Sequence, residues 1–114
     1  MIRTKLYGVV LAALLMTGCA GGNLYEWGGY EETLFTVYHE PAYKEQALVE
    51  YLEFVDKTDR RRPLAPGLYA EAATFLLEQG DIKGAIKYYK LEYENWPESQ
   101  PMLEPLIANL EARQ

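Results

Sequence analysis

The stretch from Gly67 to Ser99, GLYAEAATFLLEQGDIKGAIKYYKLEYENWPES, constrains the fold of this chain more than any other. Its apolar and small residues recur at helical spacing on either side of Gly80-Asp81, which predicts two helices joined by a tight turn. Each marker has a mechanical reason. Ala73 and Ala85 are small where two antiparallel helices must cross closely. Gly80 supplies the left-handed residue that closes the first helix, Asp81 offers a carboxylate to cap the second, and Pro97 ends it. Tyr69 and Tyr89 are placed to wedge between this pair and its neighbours.

Taken in order, Tyr69, Ala73, Leu76, Gly80, Ala85, Tyr89 and Pro97 resemble the marker positions of a tetratricopeptide repeat. Two positions depart from that pattern: Glu92 stands where a small residue is expected, and Ala72 where leucine is common. A single hairpin of this kind cannot bury both of its faces, so the flanking segments must supply partners. Upstream, Tyr30, Leu34, Val37 and Tyr38 fall at i, i+4, i+7 and i+8, one face of a short helix that Pro41 ends. A second helix, about Ala42 to Lys57, sets Ala47, Leu48, Tyr51, Leu52 and Val55 on one stripe. Downstream, a helix from about Gln100 to Ala112 offers Leu103, Leu106, Ile107 and Leu110. Pro101 suits its first turn, whereas Pro105 threatens a kink. The expectation is an all-α fold: a short right-handed solenoid of about five helices over residues 30–114, with one tetratricopeptide-like hairpin. The segment TDRRRPLAPG, Thr58 to Gly67, reads as a loop. Its arginines Arg60, Arg61 and Arg62 form a solvated run that could meet an acidic neighbour or a lipid headgroup.

Ahead of the helices the chain opens MIRTK and continues without a charge from Leu6 to Met16. A spanning helix needs about 20 apolar residues. This run has the length of a signal-peptide core instead. Met16-Thr17-Gly18-Cys19 follows and resembles the bacterial lipobox, which implies acylation of Cys19, the one cysteine of the chain. Residues 1–18 are thus expected to be a lipoprotein signal peptide, and 19–29 the lipidated cysteine and a tether. Ala20 is not the aspartate that retains lipoproteins in the inner membrane, so the sorting rule implies an outer-membrane anchor with the domain facing the periplasm. Stable anchoring takes two lipid signals, which a triacylated cysteine exceeds.

The leader holds two of the 11 basic residues and none of the 17 acidic ones, leaving nine against 17 and a formal net charge of −8 on the rest of the chain. Such a surface repels phosphate backbones at long range, and nucleic acid is not an expected partner. Enzymatic chemistry has few candidates. His39 is the one histidine, at a helix end, where a capping or surface role is the usual one. The sequence holds no GxSxG, CxxC, HExxH or phosphate-binding glycine loop, and no cofactor or metal is expected. The pairs Glu50/Glu53 and Glu92/Glu94 read as solvated faces.

Three stretches carry a wider resemblance: Leu24-Tyr25-Glu26-Trp27-Gly28-Gly29-Tyr30-Glu31, the break from Tyr38 to Pro41, and Pro66-Gly67-Leu68-Tyr69-Ala70-Glu71. Through them, the chain is similar to a family of small bacterial lipoproteins catalogued as domain of unknown function 4810, which has no established activity. Members tend to be encoded beside two other lipoproteins, one similar to the curli-secretion pore subunit. The resemblance therefore implies envelope lipoproteins as partners.

Ten tyrosines and two tryptophans are many for a small acidic domain. Tyr51, Tyr69 and Tyr89 face inward by spacing. Tyr25, Trp27 and Tyr30, around Gly28-Gly29, have two readings: a plug folded back on the core, or a docking surface for a neighbouring protein, since aromatic side chains anchor interfaces. Two functions stay open: a lipid-anchored adaptor in a secretion or surface-assembly complex, and a small-ligand or peptidoglycan-binding module with an aromatic groove.

Overall fold

A computed structural model describes residues 2–15 and 24–114. Among these the chain forms six α-helices and no strand: α1 (Ile2–Leu15), α2 (Tyr30–His39), α3 (Lys44–Asp56), α4 (Leu68–Glu78), α5 (Ile82–Asn95) and α6 (Gln100–Ala112). Short 3-10 turns at Pro41–Tyr43 and Pro97–Ser99 open onto α3 and α6. The side chains of α1 from Ile2 to Ala13 are exposed. With 14 residues at a 1.5 Å rise it runs about 21 Å, and no helix among the described residues is long and apolar enough to cross a membrane.

From α2 to α6 each helix packs on the next in the chain. The packing is thus largely between helices that are neighbours in sequence. The α4–α5 hairpin is its centre. Gly80 sits at φ +84°; its N–H donates to the Leu77 carbonyl at 3.0 Å and the Asp81 N–H to the Leu76 carbonyl at 2.9 Å. This is the paired bond pattern that satisfies the last carbonyls of a helix. Asp81 then turns its carboxylate to the Gly84 N–H, at 2.8 Å, and caps α5. Ala73 and Ala85 are both fully buried where α4 and α5 meet. Thr74 and Tyr89 join their hydroxyls across the same pair at 2.8 Å.

Three corrections to the expected pattern have physical causes. Tyr38, expected on the buried stripe of α2, is 63% exposed. It lies about 80° round the helix from Tyr30, and among the described residues α2 packs chiefly on α3 and its leading turn, which leaves the Tyr38 side open. Arg60, expected in a solvated run, bends back so that its Nη2 donates to the carbonyls of Phe54 and Val55, both at 2.7 Å. The guanidinium thereby satisfies the open end of α3, where the helix dipole favours a cation.

Glu92 is the largest departure. Expected on a solvated face, it is 2% exposed and accepts the Gly67 N–H at 2.7 Å through Oε1. Burial holds its carboxyl above the usual carboxylate range, while the amides of Gly67, Ala70 and Tyr69 pull the other way. Those amides are the unpaired donors at the start of α4, where negative charge is favoured. A residue that looked like a mismatch in a close-packed hairpin is therefore the cap of the preceding helix. Pro105 does not stop α6, which runs unbroken past it. The hydrogen bond it removes would have gone to the Pro101 carbonyl, and both prolines lie on the exposed first turns, where water can replace it.

Candidate functional site

Of the span 19–29 expected as anchor and tether, residues 24–29 are tied into the helical body. The Glu26 N–H donates to the Pro63 carbonyl at 2.8 Å, and the Ala65 N–H donates to the Glu26 carbonyl at 2.9 Å. These two bonds make one parallel bridge to Leu64, whose side chain is buried together with Ala65. The segment then bends at Gly28, at φ +53°, where an added Cβ would lie 2.6 Å from the Phe54 ring. Only glycine meets both demands there.

The three candidate aromatic residues part ways at this bend. Tyr25 is half-buried, its ring edge-on to Trp96 with centroids 5.5 Å apart. Tyr30 is half-buried against Tyr51 at 6.3 Å, and Tyr51 in turn meets Phe75 at 5.7 Å. The Tyr51 hydroxyl donates to the Leu68 carbonyl at 2.7 Å, and burial pushes its phenol well above the ordinary range. Tyr25 and Tyr30 thus lie against the core. Trp27, 6.1 Å from Tyr30, stays 46% exposed. Cys19 lies outside the described residues.

The outer face of α2 continues what Trp27 begins. Phe35 is 56% exposed and Tyr38 63%, and Tyr43, in the turn after the helix, is 61%. Glu31, Phe35 and Tyr38 follow at i, i+4 and i+7, one line along the helix. His39 stacks on Phe35 with centroids 4.7 Å apart, and its Nδ1 lies 3.2 Å from the Phe35 carbonyl. Its place is that of a helix-end residue holding an exposed ring. Carboxylates border this face: Glu32 and Glu50 line one groove between α2 and α3, and Glu40 and Glu50 another. Sequence reasoning did not pick out Phe35 or Tyr43. The available signal was that Phe35 falls off the apolar stripe of its own helix, so nothing in α2 called for a large ring there.

The family model described as Domain of unknown function (DUF4810) matches residues 24–106, from the bridged N-terminal segment into α6. The chain belongs to the DUF4810 family. No curated protein and no solved structure matches it. The DUF4810 match takes in Glu26, which makes the bridge to Leu64, and Tyr25, Trp27 and Tyr30 with the helices they touch.

Proposed function

We propose that this DUF4810 protein is an outer-membrane-anchored, periplasm-facing lipoprotein that works as an adaptor, holding another envelope protein in a secretion or surface-assembly complex. The observation that carries the adaptor reading is the outer face of α2. The terminal helix of a stack usually turns a polar face to solvent; this one turns out Phe35 and Tyr38, with Trp27 before it and Tyr43 after it. Large rings on a projecting helix suit another protein surface better than a small ligand, which is bound in an enclosed cleft. The bordering glutamates describe the partner's complement: an apolar patch rimmed by lysine or arginine. The lipobox-like Met16-Thr17-Gly18-Cys19 supports the anchor.

Two experiments test the two halves. A photo-crosslinking residue placed at Phe35 or Tyr38 in cells is expected to trap one discrete lipoprotein, whereas the same group at Asn109, exposed on α6, is not. Equal trapping at all three positions would defeat the adaptor surface. Palmitate labelling that persists in Cys19→Ser would defeat the anchor.

A further inference from the structure

Outside the leader, four of the nine basic residues fall within six positions, Lys57 to Arg62. Arg60 is committed to the end of α3. The others open onto a basin of about 520 Å³ whose lining includes Lys57, Arg61, Arg62, Asn95, Trp96 and Tyr69, with no carboxylate among its residues. The grooves along α2, α3 and α6 are each lined by two or more glutamates. In a chain whose domain carries −8, this loop is where cationic side chains gather beside an indole. Asp59 belongs to the same loop but does not line the basin.

The position of the basin says what it faces. Pro63, whose carbonyl accepts the Glu26 N–H, and Leu64, the bridge partner of Glu26, line it; Trp96, on the other wall, carries the Tyr25 ring. The basin therefore adjoins the point where the N-terminal segment joins the body. Cys19 is six residues before Tyr25, a reach of about 20 Å at full extension. We infer that the basin is a binding site for the phosphate of an anionic membrane-lipid headgroup, with Lys57 and Arg61 as its main cations, and that it turns this end of the domain toward the bilayer. The inference rests on the anchoring reading above. Guanidinium groups fit phosphate with paired hydrogen bonds, and an indole lies well at the headgroup level. Repulsion of the acidic body is screened beyond about 8–10 Å at physiological salt. The local cations then decide the contact, and the acidic remainder is turned away from the surface.

The test uses the full chain in nonionic detergent, with Trp27→Phe so that Trp96 alone reports. Titration with dihexanoylphosphatidylglycerol is expected to give a saturable change in Trp96 emission, dihexanoylphosphatidylcholine a much weaker one, and inorganic phosphate a response only at far higher concentration. Lys57→Gln with Arg61→Gln should weaken the phosphatidylglycerol response on the order of tenfold or more while leaving the melting temperature in place. An unsaturable response, or one indifferent to the double substitution, overturns the site. Inorganic phosphate binding as tightly as the lipid overturns the headgroup assignment in favour of free phosphate. Saturation by oligoglutamate but not by phosphatidylglycerol overturns it in favour of an acidic protein partner. Mass spectrometry of the same sample reads the acyl group on Cys19 separately, so failure of the anchor and failure of the basin are told apart.

Discussion

Glu92 of α5 accepts the backbone N–H of Gly67 at 2.7 Å and so fastens the start of α4 to the last turn of its hairpin partner. The carboxyl end of the bond is buried while Gly67 is exposed. Water can therefore take the donor when the carboxyl is removed, and the loss is that of one hydrogen bond, about 0.5–1.5 kcal/mol. Glu92→Ala should destabilise the domain by about that amount. Glu92→Gln keeps an acceptor oxygen in place and should cost less. Urea unfolding of the three proteins checks this, and coincident midpoints for Glu92→Ala and wild type would show that the bond contributes nothing.

The same carboxyl gives the domain a pH dependence. Burial raises Glu92, and it raises Glu71, which also feels Glu78. A carboxyl whose folded pKa lies above its unfolded value binds protons more readily when folded. Its contribution to stability is full below the ordinary glutamate range and is lost as pH rises through the raised folded value. Mild acidification from neutrality toward the glutamate range should therefore raise the melting temperature. Glu92→Gln together with Glu71→Gln should flatten that rise. A wild-type melting temperature that falls over the same interval would contradict the sign.

The helices and their ends were legible in the sequence because they rest on local chemistry. Gly80, Asp81 and Pro97 act within a few residues of themselves, and each does what its type and position imply. What was not legible depends on contacts far apart in the chain. Glu92 reads as solvated beside Glu94, since its purpose lies 25 residues upstream at Gly67. Arg60 reads as one of three equal arginines until α3 is seen to end beneath it. The separation of Tyr25 and Tyr30 from Trp27 needed the bridge between Glu26 and Leu64, a single pairing with no strand pattern to announce it.

Ala85 offers a check on the hairpin crossing. It is fully buried between α4 and α5, whereas Glu98 is exposed in the turn after α5. Ala85→Leu overpacks the crossing and should cost roughly 1–3 kcal/mol; Glu98→Leu should stay close to wild type. Equal thermal midpoints for the two variants would mean that the helices can part without cost.

Gly28 tests how firmly the N-terminal segment is held. Gly28→Ala introduces a Cβ against the Phe54 ring at a positive φ, a backbone region that costs other residues about 1–2 kcal/mol. The strain is local, so the bridge should loosen before the helices do. Amide exchange at Glu26 and Ala65 is expected to quicken while exchange in α4 and α5 holds. Uniform quickening across the domain would instead make this segment part of one cooperative unit.

The aromatic residues around α2 allow packing and docking to be separated by substitution. Tyr30 rests on Tyr51 inside the body, and large-to-small changes at buried rings cost about 3–5 kcal/mol; Tyr30, half-buried, should lose somewhat less but clearly destabilise the fold. Phe35 and Tyr38 face solvent, so Phe35→Ala with Tyr38→Ala removes surface that contributes little to stability and should leave the melting temperature and helical content nearly unchanged. If these rings anchor a partner, the same pair should abolish its capture, because buried interface aromatics can each be worth more than about 2 kcal/mol. Trp27→Ala should weaken capture with a small loss of stability, since its ring, tilted against Tyr30, is nearly half exposed. His39→Ala removes the ring stacked on Phe35 and should weaken capture modestly without unfolding the helix. A Phe35/Tyr38 variant that melts as early as Tyr30→Ala would place these rings in the stability of α2 rather than at an interface. A variant that keeps both its stability and its partner would leave the adaptor surface to be sought elsewhere on the domain.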